Sequence, residues 1–315
     1  MESGTATELD AQYRVLREGA GAFERADRRL ISVAGSEAAE YLQGQLTNEV
    51  EALAPGEGVY TALLDRKGHL QGDMRALRTA DGFEIDTEAI AGDAILRHLA
   101  MYKVGRDVSV EDVTEARTVI SVIGPAAAEI VLAGPTGPEH SHRPAELGAI
   151  SATAVSTDLG VDLVLARGEA GAALEALAAK GAEAVTEAAA EVVRVESGRP
   201  RFGFEMTTAT MPQEAGINER AVSFTKGCYI GQETVARLHY RGKPNRHLRG
   251  LRLGAPAATG DPVRLGEREL GAIGTAVVSP ARGPIALAIL RREAEPGTTV
   301  EVGEAAAAKV VELPF

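Results

Sequence analysis

The hydrophobic pattern near the start of the chain contains both helix and strand spacing. Ser36 matches an N-terminal cap, and the apolar positions after it predict a helix that ends near Leu46. Residues 59–64 form a strand-like run, and residues 70–77 match a returning strand after a polar, glycine-containing turn at 65–68. Two such runs around a tight turn predict a β-hairpin.

Further along the chain, short β-branched runs alternate with apolar positions at helical spacing. The helical spacing predicts helices over residues 87–102, 126–132 and 170–180. The β-branched runs predict strands over residues 118–123 and 161–166. These elements do not repeat strictly as strand then helix, so the pattern favours a mixed α+β fold over a doubly wound parallel sheet.

A loop rich in proline and glycine is predicted over residues 134–144. It contains His140 and His142, a pair spaced closely enough to chelate a metal ion. The sequence offers no evident third ligand, so we interpret the pair as part of a solvated loop.

The pattern changes after about His247. Short β-prone runs are separated there by turn sequences such as Gly-Ala-Pro, Thr-Gly-Asp-Pro and Glu-Pro-Gly. Turns at this density predict a separate C-terminal domain over residues 247–315, built as a small β-barrel or sandwich.

Composition narrows the classes of function. The chain of 315 residues is long enough for two or three domains, and its net charge of -12 argues against a surface that binds nucleic acid throughout. No apolar stretch is long enough to cross a bilayer, and residues 1–10 lack a basic run followed by an apolar one. These features predict a cytoplasmic protein with no membrane partner.

The single cysteine, Cys228, lies in the most unusual segment of the chain. One thiolate cannot by itself form a structural zinc site or hold an iron–sulfur cluster, so no resident metal is predicted. Lys226 and Gly227 precede the cysteine, and a nearby positive charge lowers the pKa of a thiol. Because lysine and glycine are poor core material, an exposed, reactive loop is favoured over a buried thiol.

Two acidic residues stand out by their position. Asp73 lies in the second strand of the predicted hairpin, and Glu196 ends an apolar helical run just before a Ser-Gly-Arg-Pro turn. A carboxylate at a concave, half-buried site can accept paired hydrogen bonds from a heterocyclic ring edge or shuttle a proton. The alternative is that both acids are surface groups or helix caps.

Four segments resemble, in order and spacing, the folate-binding glycine-cleavage T-protein superfamily: residues 43–48, 60–77, 121–125 and 194–206. The resemblance covers residues 22–315. Lys-Gly-Cys-Tyr-x-Gly-Gln-Glu is the signature of the YgfZ branch of that superfamily. Every fixed position of the signature is matched by Lys226, Gly227, Cys228, Tyr229, Gly231, Gln232 and Glu233.

The resemblance implies a fold of three domains arranged as a cloverleaf. Two interleaved ferredoxin-like α+β domains would occupy residues 22–246, the second of them about 118–190, and a C-terminal β-barrel would occupy residues 247–315. The implied cofactor is tetrahydrofolate, with or without a polyglutamate tail.

The resemblance also implies which residues act on the folate. Glu196 matches the T-protein glutamate that contacts the pterin, and Asp73 lies near the catalytic aspartate of that family. Asn48 and Phe202 fall among the implied folate-binding positions, and Cys228 is the second implied catalytic residue. T-proteins usually have two adjacent aspartates where this chain has a glycine before Asp73, which weighs against aminomethyl transfer.

A basic stretch runs from Arg237 to Arg252 with six lysine and arginine residues and no acid. Its guanidinium and ammonium groups, including those of Arg241 and Lys243, are suited to the anionic polyglutamate tail of a cellular folate. The same residues are suited to RNA, and a solvated basic loop is a further alternative.

The resemblance implies a tetrahydrofolate-binding protein that supports iron–sulfur cluster assembly or repair, and through it iron–sulfur-dependent tRNA modification. Its partners would be folate and iron–sulfur proteins or assembly factors, with tRNA as a further candidate. Two alternatives stay open. One is a folate-dependent one-carbon transferase, either an aminomethyltransferase or a demethylase, and the other is an RNA-binding accessory factor.

Overall fold

The structure is a computed structural model that describes residues 2–304 and 306–315, with side chains from residue 7 onward. The prediction that residues 1–10 are not a signal sequence includes Met1, which lies outside these residues. The described helices are α1 (Glu2–Glu18), α2 (Ala38–Gln45), α3 (Ala89–Tyr102), α4 (Ala127–Leu132), α5 (Ala170–Ala179), α6 (Glu187–Glu196), α7 (Asn218–Ala221) and α8 (Gln232–Arg241).

The described strands follow in chain order. They are β1 (Gly21–Arg25), β2 (Arg28–Ala34), β3 (Gly58–Leu64), β4 (Leu70–Arg78), β5 (Gly82–Glu88), β6 (Ser109–Asp112), β7 (Arg117–Ile123), β8 (His142–Leu147), β9 (Ile150–Ser156), β10 (Gly160–Ala166), β11 (Glu183–Ala184), β12 (Arg246–Leu253), β13 (Pro262–Leu265), β14 (Arg268–Ala272), β15 (Thr275–Ser279), β16 (Gly283–Arg291), β17 (Thr299–Val302) and β18 (Ala306–Val311).

The chain divides into two compact units. The first comprises Met1–Leu63, Gly72–Ala190 and Thr225–Tyr229, and the second comprises Leu64–Gln71, Glu191–Phe224 and Ile230–Phe315. Strand β12 begins next to the domain division predicted at residues 246 and 247. That division, and the extent of the two interleaved domains, stay predictions.

The first unit contains two sheets, each covered by helices. A six-stranded sheet has the order β11-β1-β7-β10-β9-β8, and a five-stranded sheet has the order β3-β4-β5-β2-β6. Val131 of α4 and Leu177 of α5 pack into the core of the six-stranded sheet. Ile95 and Leu99 are among the buried residues of α3, which packs against β2, β4, β5 and β6 of the other sheet. Each sheet together with its covering helices therefore forms an α+β layer.

A mixed apolar and charged layer joins these two sheets. Its apolar part is a buried cluster of Leu30, Leu77, Val119, Val155 and Val164. Its charged part centres on Arg75 of β4, which donates hydrogen bonds to Asp86 of β5 and to Asp162 of β10. Arginine is suited to such a place because its planar fork can satisfy two carboxylates at once.

The second unit contains a seven-stranded antiparallel sheet with the order β14-β13-β17-β18-β12-β16-β15. This sheet curls so that β14, at one end of the strand order, approaches β16 near the other end: an added Cβ at Gly271 would lie 2.7 Å from the carbonyl oxygen of Ile289. The concave side holds a core of Leu251, Val263, Leu270, Leu290 and Val310. The predicted C-terminal β-structure is therefore confirmed, while its closure into a barrel stays a prediction.

Several predicted elements are confirmed within one or two residues of their expected ends. The hairpin corresponds to β3 and β4, and the predicted helices over 87–102, 126–132 and 170–180 correspond to α3, α4 and α5. The strands over 118–123 and 161–166 correspond to β7 and β10. The α+β class is confirmed as well.

Ser36 is not the N-cap of α2. The helix begins at Ala38, and its cap residue, Glu37, makes no side-chain capping hydrogen bond. The Ser36 hydroxyl instead donates to Oδ2 of Asp107 at 2.6 Å. A tertiary partner far along the chain has therefore replaced the local capping interaction.

The predicted loop over 134–144 ends early, because β8 begins at His142. Pro144 is compatible with this strand since β8 lies at the edge of its sheet, where a missing N–H costs no ladder hydrogen bond. The interpretation of the histidine pair as solvated is wrong for His140. That side chain is 8% exposed, and its ring centroid lies 6.5 Å from that of Tyr60.

Candidate functional site

The carboxylate of Asp73, on β4, is the centre of the candidate site in the first unit. The Tyr60 hydroxyl, on β3, donates a 2.7 Å hydrogen bond to Oδ2 of Asp73. The other oxygen, Oδ1, is buried and has no hydrogen-bond partner among the residues that the structure describes. Because an unpaired buried acceptor is unfavourable, this oxygen suits a ligand that offers an N–H or O–H donor.

The environment of Asp73 favours its protonated form. Burial raises the pKa of Asp73 to about 6, and the negative charge of Glu88 acts in the same direction. The Tyr60 hydrogen bond and the positive charge of Arg28 oppose this shift. The resulting pKa lies close enough to neutral for the carboxyl group to accept and release a proton during a reaction.

Gly72 allows α3 to lie close against β4. An added Cβ at this position would lie 2.7 Å from Cβ of Ala91 and 2.8 Å from Cδ1 of Ile95, both on α3. The space that a side chain at position 72 requires is therefore filled by the helix. This packing explains why Asp73 has no aspartate before it.

Lys226 anchors the loop that carries Cys228. Its Nζ donates to the main-chain oxygens of Gln43, Leu46 and Asn48 at 2.7, 2.8 and 2.8 Å. These carbonyls lie at the C-terminal end of α2, where a cation also interacts favourably with the helix dipole. Burial lowers the pKa of Lys226 to about 8, and two nearby glutamates oppose this shift.

Asn48 connects this anchor to the strand pair that holds Asp73. Its Nδ2 donates to the main-chain oxygen of Tyr60 at 2.9 Å, and its own N–H donates to Oγ1 of Thr61 at 3.0 Å. Hydrogen bonds thus run from Lys226 through Asn48 and Tyr60 to Asp73. The structure therefore brings three of the predicted residues, Lys226, Asn48 and Asp73, into one network.

Cys228 is a free and exposed thiol, as expected from the sequence. Two nearby residues of the loop, Lys226 and Tyr229, are 8% and 7% exposed, whereas Gly227, directly before the cysteine, is exposed. Nζ of Lys226 lies 5.4 Å from the centroid of the Tyr229 ring, within the range of a cation–π interaction. With Lys226 and Tyr229 buried, the loop presents the thiol outward between two anchored residues.

Glu196 lies in the second unit, at the end of α6, and is only 4% exposed. The hydroxyl of Ser279 donates a short hydrogen bond to Oε1 of Glu196. The N–H of Phe315 donates to the main-chain oxygen of Glu196 at 3.0 Å. Phe202, another predicted folate-binding residue, is also buried in this unit. Glu196 is therefore an oriented, buried acceptor and not a surface helix cap.

The basic stretch divides into residues that hold the fold and residues that project from it. Arg246 donates to both carboxylate oxygens of Glu214, at 2.9 and 2.7 Å. Arg249 donates to a main-chain carbonyl at 3.1 Å. Arg241 and Lys243 are exposed and belong to the part of the stretch that can meet an anion.

The second half of the cysteine motif forms the start of α8. Gly231 has a φ of 82°, and an added Cβ would lie 2.5 Å from the carbonyl oxygen of Asp65, so both backbone conformation and space require glycine. Gln232 is half-buried, and Glu233 is exposed in the first turn of the helix, where its charge is favourable. Gly227 differs, because an added Cβ there would meet no described atom within 4 Å.

Residues 2–226 of the chain match the family model described as GCVT N-terminal domain. The chain belongs to this family. The region matched by the model contains Asp73, Asn48, Glu196 and Lys226, which are among the residues singled out above. It ends just before Cys228.

Relatives of this GCVT-family protein include several aminomethyltransferases. The chain is 30% identical to the aminomethyltransferase of Saccharopolyspora erythraea over 330 residues, covering 97% of this chain and 89% of the relative. It is 27% identical to that of Rubrobacter xylanophilus, covering 98% and 86%. The crystal structure of glycine cleavage system aminomethyltransferase T from Bartonella henselae shares the fold, with a TM-score of 0.86, 24% identity and coverage of 98% and 89%.

Two features of this GCVT-family chain are not evident from its sequence. Tyr60 lies in an apolar strand, and no local pattern reveals that its hydroxyl meets Asp73. The ion pairs of Arg75 with Asp86 and Asp162 are likewise missed. A signal was present for Asp162, which is the one charged residue in the apolar strand β10.

Within residues 2–304 and 306–315, no helix is long and apolar enough to cross a membrane. Among the described side chains, no three histidine, cysteine or acidic groups gather closely enough to hold a metal ion. The catalytic, folate-binding and motif roles assigned from the sequence stay predictions.

Proposed function

We propose that this protein binds tetrahydrofolate in the cytoplasm and thereby supports the assembly or repair of iron–sulfur proteins, including those that modify tRNA. The observation that carries the folate part is Asp73, whose Oδ1 is buried and unpaired and whose pKa is about 6. A reduced pterin carries several N–H donors that fit such an acceptor. When bound, tetrahydrofolate supplies a nitrogen that can carry a one-carbon unit.

The residues around Asp73 are suited to this role. The Tyr60 hydrogen bond fixes the orientation of the carboxylate, so that Oδ1 keeps one direction toward a ligand. The raised pKa lets Asp73 exchange a proton with a folate nitrogen. Asn48 holds Tyr60 in turn and acts as a positioning residue.

The folate part is tested by calorimetric titration of tetrahydrofolate into the wild type and the Asp73→Asn variant. Asparagine keeps the shape but loses the charge and replaces one acceptor by a donor, so we expect affinity to fall about 10-fold to 100-fold. Asp81→Asn, which changes an exposed aspartate of the same unit, is the matched control. Unchanged affinity in a folded Asp73→Asn protein would remove Asp73 from the proposed site.

The predicted pterin contact at Glu196 is tested separately. Oε1 of this carboxylate already accepts from Ser279, and carboxylate oxygens can each accept a second hydrogen bond. We expect Glu196→Gln to weaken tetrahydrofolate binding about 30-fold to 1000-fold, because a donor would replace an acceptor at a buried position. Binding as tight as that of the wild type, in a folded variant, would leave Glu196 a purely structural role.

The iron–sulfur part of the proposal is supported by the exposed thiol of Cys228, which lies in a loop anchored by the buried side chains of Lys226 and Tyr229. A thiol held outward in this way is accessible to a partner protein or to a cluster that the partner carries. In a deletion strain, we expect the wild type to restore iron–sulfur enzyme activity and Cys228→Ala to fail, with equal folate affinity for both proteins. Full rescue by Cys228→Ala would contradict the role of the thiol.

A polyglutamate tail on the folate is a finer part of the proposal. The exposed side chains of Arg241 and Lys243 support it, because a chain of carboxylates needs solvent-facing cations. We expect replacement of both by alanine to weaken binding of folate polyglutamates more than binding of the monoglutamate. Equal losses for the two ligands would contradict this assignment.

A one-carbon transferase is the second candidate, favoured by the similarity to aminomethyltransferases and by the pKa of Asp73. Turnover of a methylated or aminomethylated amine with tetrahydrofolate, lost in Asp73→Asn, would establish it in place of the accessory role. An RNA-binding role would instead appear as salt-sensitive binding of tRNA through Arg241 and Lys243.

A further inference from the structure

A cleft of about 460 Å³ lies between the two sheets of the first unit, away from Asp73. Its charged lining comes from four strands: Arg78 at the end of β4, Glu84 on β5, Arg117 at the start of β7 and Arg143 on β8. Asp73 and Arg78 are five residues apart along β4, a separation of about 16 Å in a strand. The cleft is therefore distinct from the proposed folate site.

One end of the cleft is a loop that is hydrogen-bonded to both sheets. The Gly56 N–H donates to the carbonyl oxygen of Arg78 at 2.9 Å, and the Arg78 N–H donates to that of Glu57 at 2.8 Å. The His142 N–H donates to the carbonyl oxygen of Gly56 at 2.7 Å. Gly56 has a φ of 92°, and an added Cβ would lie 3.2 Å from the His142 oxygen. This wall is therefore fixed by backbone contacts and is suited to a preformed pocket.

The charges around the cleft are unbalanced. Arg117 is paired with Glu84 by a short hydrogen bond, which accounts for the single carboxylate in the described lining. The guanidinium of Arg78 lies 4.8 Å from the centroid of the Phe83 ring and donates a long hydrogen bond to the Gly82 oxygen, while its Nε is buried without a hydrogen-bond partner among the described residues. Arg143 is exposed, and Nη2 of its side chain donates a long hydrogen bond of 3.5 Å to the main-chain oxygen of Pro135. Two positive charges thus remain in a protein whose net charge is -12.

The rest of the lining is largely apolar. Leu77 is fully buried at the cleft, and Pro55, Pro144 and Ala80 contribute further apolar surface. A pocket with apolar walls and a small number of convergent polar groups is the usual form of a small-molecule site. Guanidinium groups without a carboxylate partner in such a pocket select carboxylate, sulfonate or phosphate groups.

We propose that this cleft binds a small organic anion, with its charged group at Arg78 and Arg143 and its apolar body against Leu77 and the two prolines. The site is additional to the folate-binding function proposed above. Electrostatic attraction by the two arginines supplies the selectivity for an anion, and burial of the apolar body supplies most of the affinity.

Paired fluorescent probes test this proposal. The probes are 8-anilinonaphthalene-1-sulfonate and its neutral analogue N-phenyl-1-naphthylamine, which share the aromatic body and differ in the sulfonate. We expect saturable binding of one sulfonate probe per chain, weakened by added salt, and binding of the neutral analogue at least about tenfold weaker. Inorganic pyrophosphate should compete with the sulfonate probe.

Variants locate the binding. We expect Arg143→Gln and Arg78→Gln each to weaken binding of the sulfonate probe about tenfold, with little effect on the neutral analogue. Arg252→Gln, which changes an exposed arginine in the second unit, is the matched control. Arg143 is exposed, so its variant keeps the fold even where the partly buried Arg78 variant loses stability. Equal binding of both probes, or unchanged binding in a folded Arg143→Gln protein, would overturn the proposal.

Discussion

The hydroxyl of Tyr60 donates a hydrogen bond to one oxygen of Asp73, while the other oxygen of that carboxylate is buried and unpaired among the described residues. This asymmetry has two consequences. The carboxylate is oriented before any ligand binds, and its charged form is disfavoured because burial outweighs the single hydrogen bond.

Asp73 should make the protein less stable as the pH rises from about 4 to about 7. The pKa of Asp73 is raised from 3.8 to about 6 on folding, so protonation favours the folded state. Its contribution is fully present below pH 3.8 and is lost as the pH rises through about 6, by at most about 3 kcal/mol. Urea unfolding at several pH values measures this loss of stability.

The Asp73→Asn variant isolates this effect from other titrating groups. We expect the free energy of unfolding of the variant, relative to that of the wild type, to increase between pH 4 and pH 7. The exposed control Asp81→Asn should follow the wild type at every pH. Parallel curves for wild type and Asp73→Asn would show that Asp73 has an ordinary pKa.

Gly72→Ala should destabilise the protein although it adds a single methyl group. The added Cβ would lie 2.7 Å from Ala91 and 2.8 Å from Ile95, so α3 must move away from β4. We expect a loss of about 1–3 kcal/mol in the free energy of unfolding. Gly227→Ala is the matched control, because its Cβ meets no described atom within 4 Å and should change stability by less than about 0.5 kcal/mol. Equal stability of the two variants would mean that α3 moves away from β4 without a measurable loss of stability.

Lys226→Met should loosen the cysteine loop. The substitution leaves the main-chain oxygens of Gln43, Leu46 and Asn48 without the Nζ donor and removes the cation at the end of α2. We expect a loss of about 2–4 kcal/mol in unfolding free energy and faster amide hydrogen exchange over residues 225–229. Lys243→Met, at an exposed lysine, should change neither quantity. Unaltered exchange in Lys226→Met would contradict the anchoring role.

Asp162→Asn should be among the most destabilising conservative substitutions in the first unit. Asp162 accepts hydrogen bonds from Arg75 and from the hydroxyl of Ser121, and it is 5% exposed. Removing one partner of a buried ion pair leaves an incompletely compensated charge, at a cost of about 3–5 kcal/mol. Chemical unfolding measures this loss of stability, with Asp81→Asn as the control. A loss below about 1 kcal/mol would show that Asp86 alone compensates Arg75.

Local patterns in the sequence determine much of the fold. The helix α5, the hairpin of β3 and β4 and the exposed position of Cys228 follow from residues within a few positions of one another. Hydrophobic periodicity and turn chemistry act over this range, so one sequence is enough to predict them. The position of Glu196 at the end of a helix is also predictable from local sequence, whereas its burial is not.

Contacts between distant residues decide the rest. Strand β5 carries acidic residues at alternate positions and is nevertheless buried throughout, because arginines of β2, β4 and β7 neutralise these acids. The Ser36 hydroxyl donates a hydrogen bond to Asp107 instead of capping α2. The meeting of Tyr60 with Asp73 depends on strand register, and the anchoring of Lys226 depends on an α2 terminus some 180 residues away. A buried charge or hydrogen bond is stable only when its partner is present, and folding alone brings these partners together.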